Sequence, residues 1–294
     1  MNRFVTARTL ALVRDFELAA RMAVDGTMLG RHTSRRAGAG LEFSQYRSYQ
    51  PGDDPRRIDW KLLGRSDRYF VREAEAETSL TVRLLLDATG SMAHQEEGVS
   101  KLDYARFLAA ALALLAQRQG DAVGLYVLGG GDVDPLPPRR ELTHLHRLLH
   151  RLEGVTPAGA WPEWPALERA LAPGSARGIT VFLGDLHERA DEIRAAARRL
   201  AGARHDVVCF QVLGDRERTF GYHGAVTLED LETGARLDLD ADQARATAVA
   251  RLDTALGGLR RDLEERGAAL VECRLAEPFE APLRAYLARR QRRP

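Results

Sequence analysis

The sequence predicts an α/β protein: a doubly wound, mostly parallel sheet with a small N-terminal lobe and a β-hairpin insertion. Three observations carry this. From residue 80 onward, apolar runs of strand length alternate with helical stretches of 10–17 residues, the pattern of a sheet covered by helices on both faces. Right-handed crossovers between such strands favour a doubly wound sheet. Residues 41–72 break the pattern: they hold six of the chain's 19 aromatic residues and a Pro-Gly-Asp-Asp-Pro turn signal at 51–55. The chain therefore divides into a lobe, 1–77, and an α/β domain, 78–294, and at 294 residues it has room for both.

In chain order, residues 6–24 place Leu10, Val13, Phe16 (or Leu18), Ala20 and Val24 near helical spacing, so an amphipathic helix is expected. Gly26 and Gly30 end it, and the basic, glycine-rich stretch 31–40 reads as a loop. Residues 69–72 read as a short strand closing the lobe. The run 80–86 (LTVRLLL) is a buried strand that ends at Asp87, followed by an Ala- and Leu-rich helix at 101–117. A strand at 122–128 leads into the turn Gly129-Gly130-Gly131-Asp132 and a short strand at 133–136. Helices are expected at 141–152 and 165–172. The run 179–183 (ITVFL) is a second buried strand, ending at Gly184-Asp185. A helix at 188–200 and a strand at 207–213 follow. Residues 214–240 carry turns and two short apolar stretches, 225–228 and 236–239, which read as the hairpin insertion. A helix at 243–266, a strand at 268–274 and a helix at 282–290 complete the chain. No repeat of 20–50 residues is present.

Composition excludes several classes. Arg and Lys total 43 against 42 Asp and Glu, a net charge of +1, so there is no overall bias toward nucleic acid or anionic membrane. Hydrophobic residues at 45% and charged residues at 29% are those of a soluble globular chain. Only Lys61 and Lys101 are lysines, against 41 arginines, which reads as codon bias. Cys209 and Cys273 lie in apolar runs and read as buried thiols, too few for a disulfide framework. The first 22 residues are interrupted by Arg14, Asp15 and Glu17, unlike a signal peptide or a membrane span. The expected location is cytoplasmic.

Open doubly wound sheets bind ligands beyond the carboxyl ends of their strands, where strand order reverses. With the order 3-2-1-4-5-6, that point lies between the first and fourth strands, which end here at Asp87 and Asp185. The loop after the first strand reads Asp87-Ala88-Thr89-Gly90-Ser91-Met92. Asp87, Thr89 and Ser91 are spaced by two, so one tight turn can converge three oxygen groups. Such hard donors suit magnesium or manganese rather than zinc. The competing reading is that Asp87 and Ser91 shape the turn and cap the next helix.

Asp87, Thr89 and Ser91, with Asp185 on a later strand, resemble the metal-ion-dependent adhesion site of von Willebrand factor A domains. That resemblance implies a divalent cation with an open position for a partner's carboxylate, and one further Thr ligand from another loop. The string at 40–77, GLEFSQYRSYQPGDDPRRIDWKLLGRSDRYFVREAEAE, is similar to the signature of the bacterial domain-of-unknown-function family 58. Its elements are Glu42-Phe43, Arg47, Tyr49, Pro51-Gly52-Asp53-Asp54, Arg56, Ile58-Asp59-Trp60, Arg65 and Val71-Arg72-Glu73. Asp230-Leu231-Glu232-Thr233-Gly234 and residues 287–290 also fit, so the resemblance covers roughly residues 8–290. It implies action beside a MoxR-type AAA+ ATPase in assembly, maturation or metal insertion of client proteins. One departure stands out. The family's Gly-Gly-Thr turn falls about 17 residues before the Gly leading into the fourth strand, and here that position is Trp161, within Pro157-Ala158-Gly159-Ala160-Trp161-Pro162. Thr156 is the candidate substitute.

Residues 25–72 hold ten basic and six acidic residues, net +4, with interleaved aromatics. A nucleic-acid platform would have this composition, but arginines paired with Asp53, Asp54, Asp59 and Asp67 around an aromatic mini-core account for it as well. His144, His146 and His150 read as a solvated helix face; His146 and His150 have the i, i+4 spacing of a zinc pair but no third ligand. A phosphatase using Asp87 as nucleophile would want a second Asp where Thr89 stands. No phosphate-binding P-loop is present. The reading is a non-enzymatic protein-interaction module. Asp87, Thr89, Ser91 and Asp185 would hold magnesium or manganese, with Thr156 as candidate fifth ligand. Arg47, Asp53, Asp54, Arg56, Asp59 and Trp60 are candidate partner contacts, and the implied partner is a MoxR-type ATPase or its client. The alternatives are a metal-dependent hydrolase or phosphatase using Asp87, and nucleic-acid binding through 31–72.

Overall fold

The structure, a computed structural model, describes residues 43–49, 58, 60–66, 68–74, 80–170, 178–186, 189–201, 205–278 and 280–291. They fall into two compact units, one within His32–Ser79 and the other running from Leu80 onward. The expected helix at 6–24 and loop at 31–40 lie outside the described residues.

In the first unit, β1 (Phe43–Ser48) precedes α1 (Trp60–Ser66) and pairs antiparallel with β2 (Phe70–Ala74). Tyr49 continues the ladder by donating its N–H to the carbonyl of Tyr69 at 2.9 Å, and their rings lie 6.2 Å apart. The sequence pointed to the second strand only.

The second unit begins with β3 (Thr81–Asp87), a short 3-10 turn at Gly90–Ala93, and a two-residue hairpin of β4 (Gln95–Glu96) and β5 (Val99–Ser100). Then come α2 (Lys101–Arg118), β6 (Ala122–Gly129), β7 (Asp132–Arg139), α3 (Leu142–Glu153), α4 (Trp164–Ala170) and β8 (Gly178–Gly184). After α5 (Ala190–Ala201) and β9 (Asp206–Leu213) follow α6 (Asp215–Thr219), β10 (Ala225–Glu229) and β11 (Arg236–Asp240). The chain closes with α7 (Ala241–Glu264), β12 (Ala269–Arg274) and α8 (Glu280–Gln291). Six strands form one sheet in the order β12-β9-β8-β3-β6-β7. All neighbours are parallel except β6 and β7, which form a hairpin reversing at Gly130-Gly131. Numbered along the chain, this order is 3-2-1-4-5-6, and it reverses between β3 and β8.

Strands β3, β8 and β9 are buried almost throughout, so both sheet faces must be covered by apolar side chains. On one face Leu84, Leu86, Val181 and Phe210 pack against α2, α3 and Tyr286 of α8. On the other, Leu85, Phe182 and Cys209 pack against Ile193 and Leu200 of α5 and Leu259 and Leu263 of α7. Helix α2 is buried on nearly every side, with alanine at 109, 110, 111 and 113 allowing close approach. Ser100 starts it with a capping box: its Oγ accepts from the Asp103 N–H at 2.9 Å, and the Asp103 carboxylate accepts in return from the Ser100 N–H. The edge strand β7 carries Pro135, Pro137 and Pro138, which blunt pairing with another chain. Cys209 and Cys273 are buried free thiols, and burial pushes both well above the ordinary thiol range. Among the described residues, no helix is long and apolar enough to cross a membrane.

Candidate functional site

The end of β3 and the end of β8 are neighbours in the sheet, so Asp87 and Asp185 emerge side by side. The approach is close: a Cβ added at Gly184 would fall 2.2 Å from the Asp87 Cβ. Both aspartates are buried. Asp87 folds the loop back on itself, its Oδ1 accepting from the Thr89 N–H at 3.0 Å and the Thr89 hydroxyl at 2.8 Å. The Thr89 and Ser91 hydroxyl oxygens then lie 3.1 Å apart. Thr89 makes no side-chain cap to the turn that follows. Burial pushes the Asp87 carboxyl up to about 7; the Thr89 hydrogen bonds oppose this, and the charges of Asp185 and Glu232 add to it.

The cation beside Asp185 belongs to the chain itself. Lys101, the first residue of α2, is 1% exposed. Its Nζ donates to Asp185 Oδ2 at 2.5 Å and to Glu217 Oε1 at 2.8 Å. Burial alone would lower this ammonium's pKa, but the two carboxylates override it and raise the value. Asp185 is held from its other side by Gln211, whose Nε2 donates to Oδ1 at 3.0 Å while its Oε1 accepts from the Leu186 N–H at 2.8 Å. Glu217 is aimed by the small β4–β5 hairpin. The Glu96 carboxylate accepts from the N–H groups of Asp215 and Arg216 at 2.8 and 2.9 Å, fixing the first turn of α6. Burial would raise the Glu96 carboxyl, but these bonds and His94 bring it below the usual range.

The donor set fits a hard cation on one side only. Oxygens in adjacent positions around magnesium stand about 3 Å apart, given Mg–O distances of about 2.1 Å, and the Thr89–Ser91 spacing of 3.1 Å matches. A buried carboxylate whose proton affinity is raised is one that a cation would stabilise. Asp185, in contrast, is already committed to an ammonium. Among the described residues, no group of three or more His, Cys, Asp or Glu side chains could hold a metal, so a cation here depends on the two hydroxyls.

Thr156 is exposed, and its segment touches the loop two residues later through the backbone. The Ala158 N–H donates to the Ala88 carbonyl at 2.8 Å, and the Gly90 N–H donates to the Gly159 carbonyl at 2.9 Å. The peptide groups of Ala158 and Gly159 therefore flank the loop that carries Thr89, and Trp161 is buried against the sheet. The hairpin insertion closes the other side. A Cβ at Gly90 would meet the Leu231 carbonyl oxygen at 2.4 Å, so the β10–β11 turn lies directly on the 89–91 loop. That turn is wound by Asp230, whose carboxylate accepts from the N–H of Glu232 at 2.8 Å and the Thr233 hydroxyl at 2.6 Å. Glu232 pairs with Arg189 at 2.5 Å.

Of the candidate partner contacts, Asp53, Asp54, Arg56 and Asp59 lie outside the described residues. Arg47 sits in β1 opposite Val71, and Trp60 is 62% exposed. His144 needs correction. It is buried rather than solvated, its Nε2 2.9 Å from the Val123 carbonyl, because it falls on the sheet side of α3; His146 and His150 are exposed. Lys101, Gln211 and Glu217 were not anticipated from the sequence. The available signal was Lys101 itself, a lysine in a chain built on arginine.

The sequence matches, over residues 45–256, the family described as "Protein of unknown function DUF58". The chain belongs to that family. An uncharacterized protein of Mycobacterium tuberculosis (strain H37Rv) is 30% identical over 291 residues, covering 96% of this chain and 90% of its own length. An uncharacterized protein of Mycobacterium bovis gives the same figures. Among solved structures, the conserved hypothetical protein BatB from Bacteroides thetaiotaomicron is similar at 15% identity and a TM-score of 0.44, covering 72% of this chain and 98% of that one. The VWA domain of SpRpn10 is similar at 10% identity and a TM-score of 0.40, covering 70% and 94%.

Proposed function

We propose that this chain is a protein-interaction module whose crevice at the carboxyl ends of β3 and β8 receives an acidic group of a partner protein. In this reading Asp87, Thr89 and Ser91 hold magnesium or manganese, and Asp185 backs the site from its bridge to Lys101. The cation would supply positive charge and an open coordination position. The observation that carries the reading is the pair of hydroxyls 3.1 Å apart beside the buried Asp87 carboxylate, at the point where strand order reverses. The family resemblance supports a MoxR-type AAA+ ATPase, or its client, as the partner, in assembly or maturation of client proteins in the cytoplasm. Arg47, Asp53, Asp54, Arg56, Asp59 and Trp60 are the proposed additional contacts, and the exposed Trp60 ring suits that role.

The test is calorimetric titration of magnesium and manganese into the full chain, alongside capture of the ATPase with and without chelator. Wild type is expected to bind one cation and to lose the ATPase in chelator, and Asp87→Ala to bind no cation and capture no ATPase in either condition. Capture that ignores both chelator and Asp87→Ala would overturn the cation-bridge reading.

A further inference from the structure

A cleft of about 510 Å³ runs from Asp185 to the β10–β11 hairpin. Its two ends differ in chemistry. Ser91, Lys101 and Glu217 line the polar end, and Phe220, Leu228 and Leu237 line the apolar end. The apolar end follows from hairpin register: Leu228 faces Leu237 across the ladder, and Val226 faces Leu239, so four apolar side chains share one face. Leu237 is 60% exposed.

The polar end already shows what it accepts. A carboxylate from the cleft wall, Glu217, lies 2.8 Å from the Lys101 ammonium. The two acids on that ammonium are not equivalent. The Asp185 side chain is buried and pinned by Gln211, whereas the Glu217 side chain is 28% exposed. Glu217 also has a second anchor, since its Oε2 accepts from the Gly214 N–H at 3.0 Å. It can leave Lys101 and still cap α6. Arg236 at the far end also lines the cleft and pairs with Glu229; Lys101 is singled out because its Glu217 partner has that second anchor.

We propose that the cleft docks an extended partner segment in which an acidic residue is followed by a bulky apolar one. The partner's carboxylate replaces Glu217 on Lys101, and the neighbouring side chain covers Leu228 and Leu237. The displaced Glu217 stays on the chain, held by the Gly214 N–H, so docking adds one negative charge to the cleft, and the gain must come from elsewhere. The apolar contact, which Glu217 cannot make, supplies the preference for the partner. The inference deepens the interaction function proposed above but needs no bound metal, because the cation is a side chain.

The test is fluorescence anisotropy on the full chain with three labelled octapeptides: one with a central Asp-Leu, one with Asn-Leu and one with Asp-Ser. The Asp-Leu peptide is expected to bind in chelator, at least about tenfold more tightly than either control. Glu217→Gln, which holds the ammonium less firmly, should tighten the Asp-Leu peptide several-fold. Leu237→Ser, an exposed hairpin change, should bring the Asp-Leu peptide down to the level of Asp-Ser and leave the Asp-Ser peptide unaffected. Equal binding of the Asn and Asp peptides, no response to Glu217→Gln, or no binding of the Asp-Leu peptide at millimolar concentration overturns the proposal. The two readings fail separately. Chelator-sensitive ATPase capture with no effect of Glu217→Gln would leave the cation bridge and remove the lysine exchange, and the opposite pattern would do the reverse.

Discussion

Lys101 is one of two lysines beside 41 arginines, and its surroundings give a physical reason for it. A guanidinium carries five donors in a rigid plane, and a buried position must satisfy them all. An ammonium is a compact charge with three, and here two carboxylates take it up. A lysine in the first turn of a helix also opposes the helix dipole, so its place at the start of α2 makes sense only through Asp185 and Glu217. Those partners lie 84 and 116 residues away in sequence, which is why periodicity and spacing could not find them. Asp87 and Asp185 were legible because strand ends are: each apolar run gives way to an aspartate, although Arg83 is buried within the first of them. The Asp87 carboxyl, pushed up to about 7 from an ordinary 3.8, gives a pH prediction. Between pH 4 and 7 the unfolded chain has released this proton while the folded chain keeps it, so in chelator stability falls as pH rises, by up to about 1.4 kcal/mol per unit. Asp87→Asn removes the titration and keeps an oxygen for Thr89. Urea unfolding in chelator should therefore show the variant gaining on wild type from pH 5 to pH 8. Saturating magnesium should restore wild type and not the variant. Parallel pH profiles for the two proteins would show that Asp87 is not held in this state.

At the scale of elements, the sheet strands and the long helices were readable, since each is a sustained apolar pattern of its own period. The pieces that aim the site were not: β4–β5, α6 and the Gly90–Ala93 turn are two to five residues long. Too short to show periodicity, they are held by hydrogen bonds from distant side chains, such as Glu96 to α6. The hairpin at 225–240 was visible as two apolar stretches, but its position over the loop of Asp87 depends on one glycine. Gly90→Ala would drive a methyl group to 2.4 Å from the Leu231 carbonyl, and the hairpin turn must move. A cost of about 1–3 kcal/mol is expected, with weaker binding of the Asp-Leu peptide. Gly257→Ala in α7 is the control. Its added methyl meets nothing within 4 Å, and a helical alanine should stabilise by up to about 1 kcal/mol. Chemical denaturation of both variants checks this. A Gly90→Ala protein as stable as wild type would mean that the hairpin does not rest on the loop.

For the whole molecule, the described residues of both apolar cores of the α/β unit come mainly from the sheet strands and the helices that follow them in sequence. Charge is distributed differently from the core. Residues 25–72 carry net +4, while the rest of the chain holds 33 basic and 36 acidic residues, net −3. The near-zero total thus conceals a positive segment and a negative remainder, and the question is whether the positive segment reads a polyanion. Affinity for nucleic acid depends on the number of phosphates neutralised, with log K falling by about 0.9 per contact for each tenfold rise in salt. A net charge of +4 spread through a segment that also holds six acidic residues leaves few uncommitted cations for such contacts. A negative body attached to that segment opposes approach at low salt, where the Debye length is long. The full chain is therefore expected to elute from a heparin or single-stranded DNA column below about 0.15 M salt, and replacing Arg47 or Arg56 by Ala should shift that elution little. Retention to several times that concentration, reduced stepwise by each arginine replaced, would identify residues 31–72 as a nucleic-acid surface. The crevice would then serve a chain whose partner is not a protein alone.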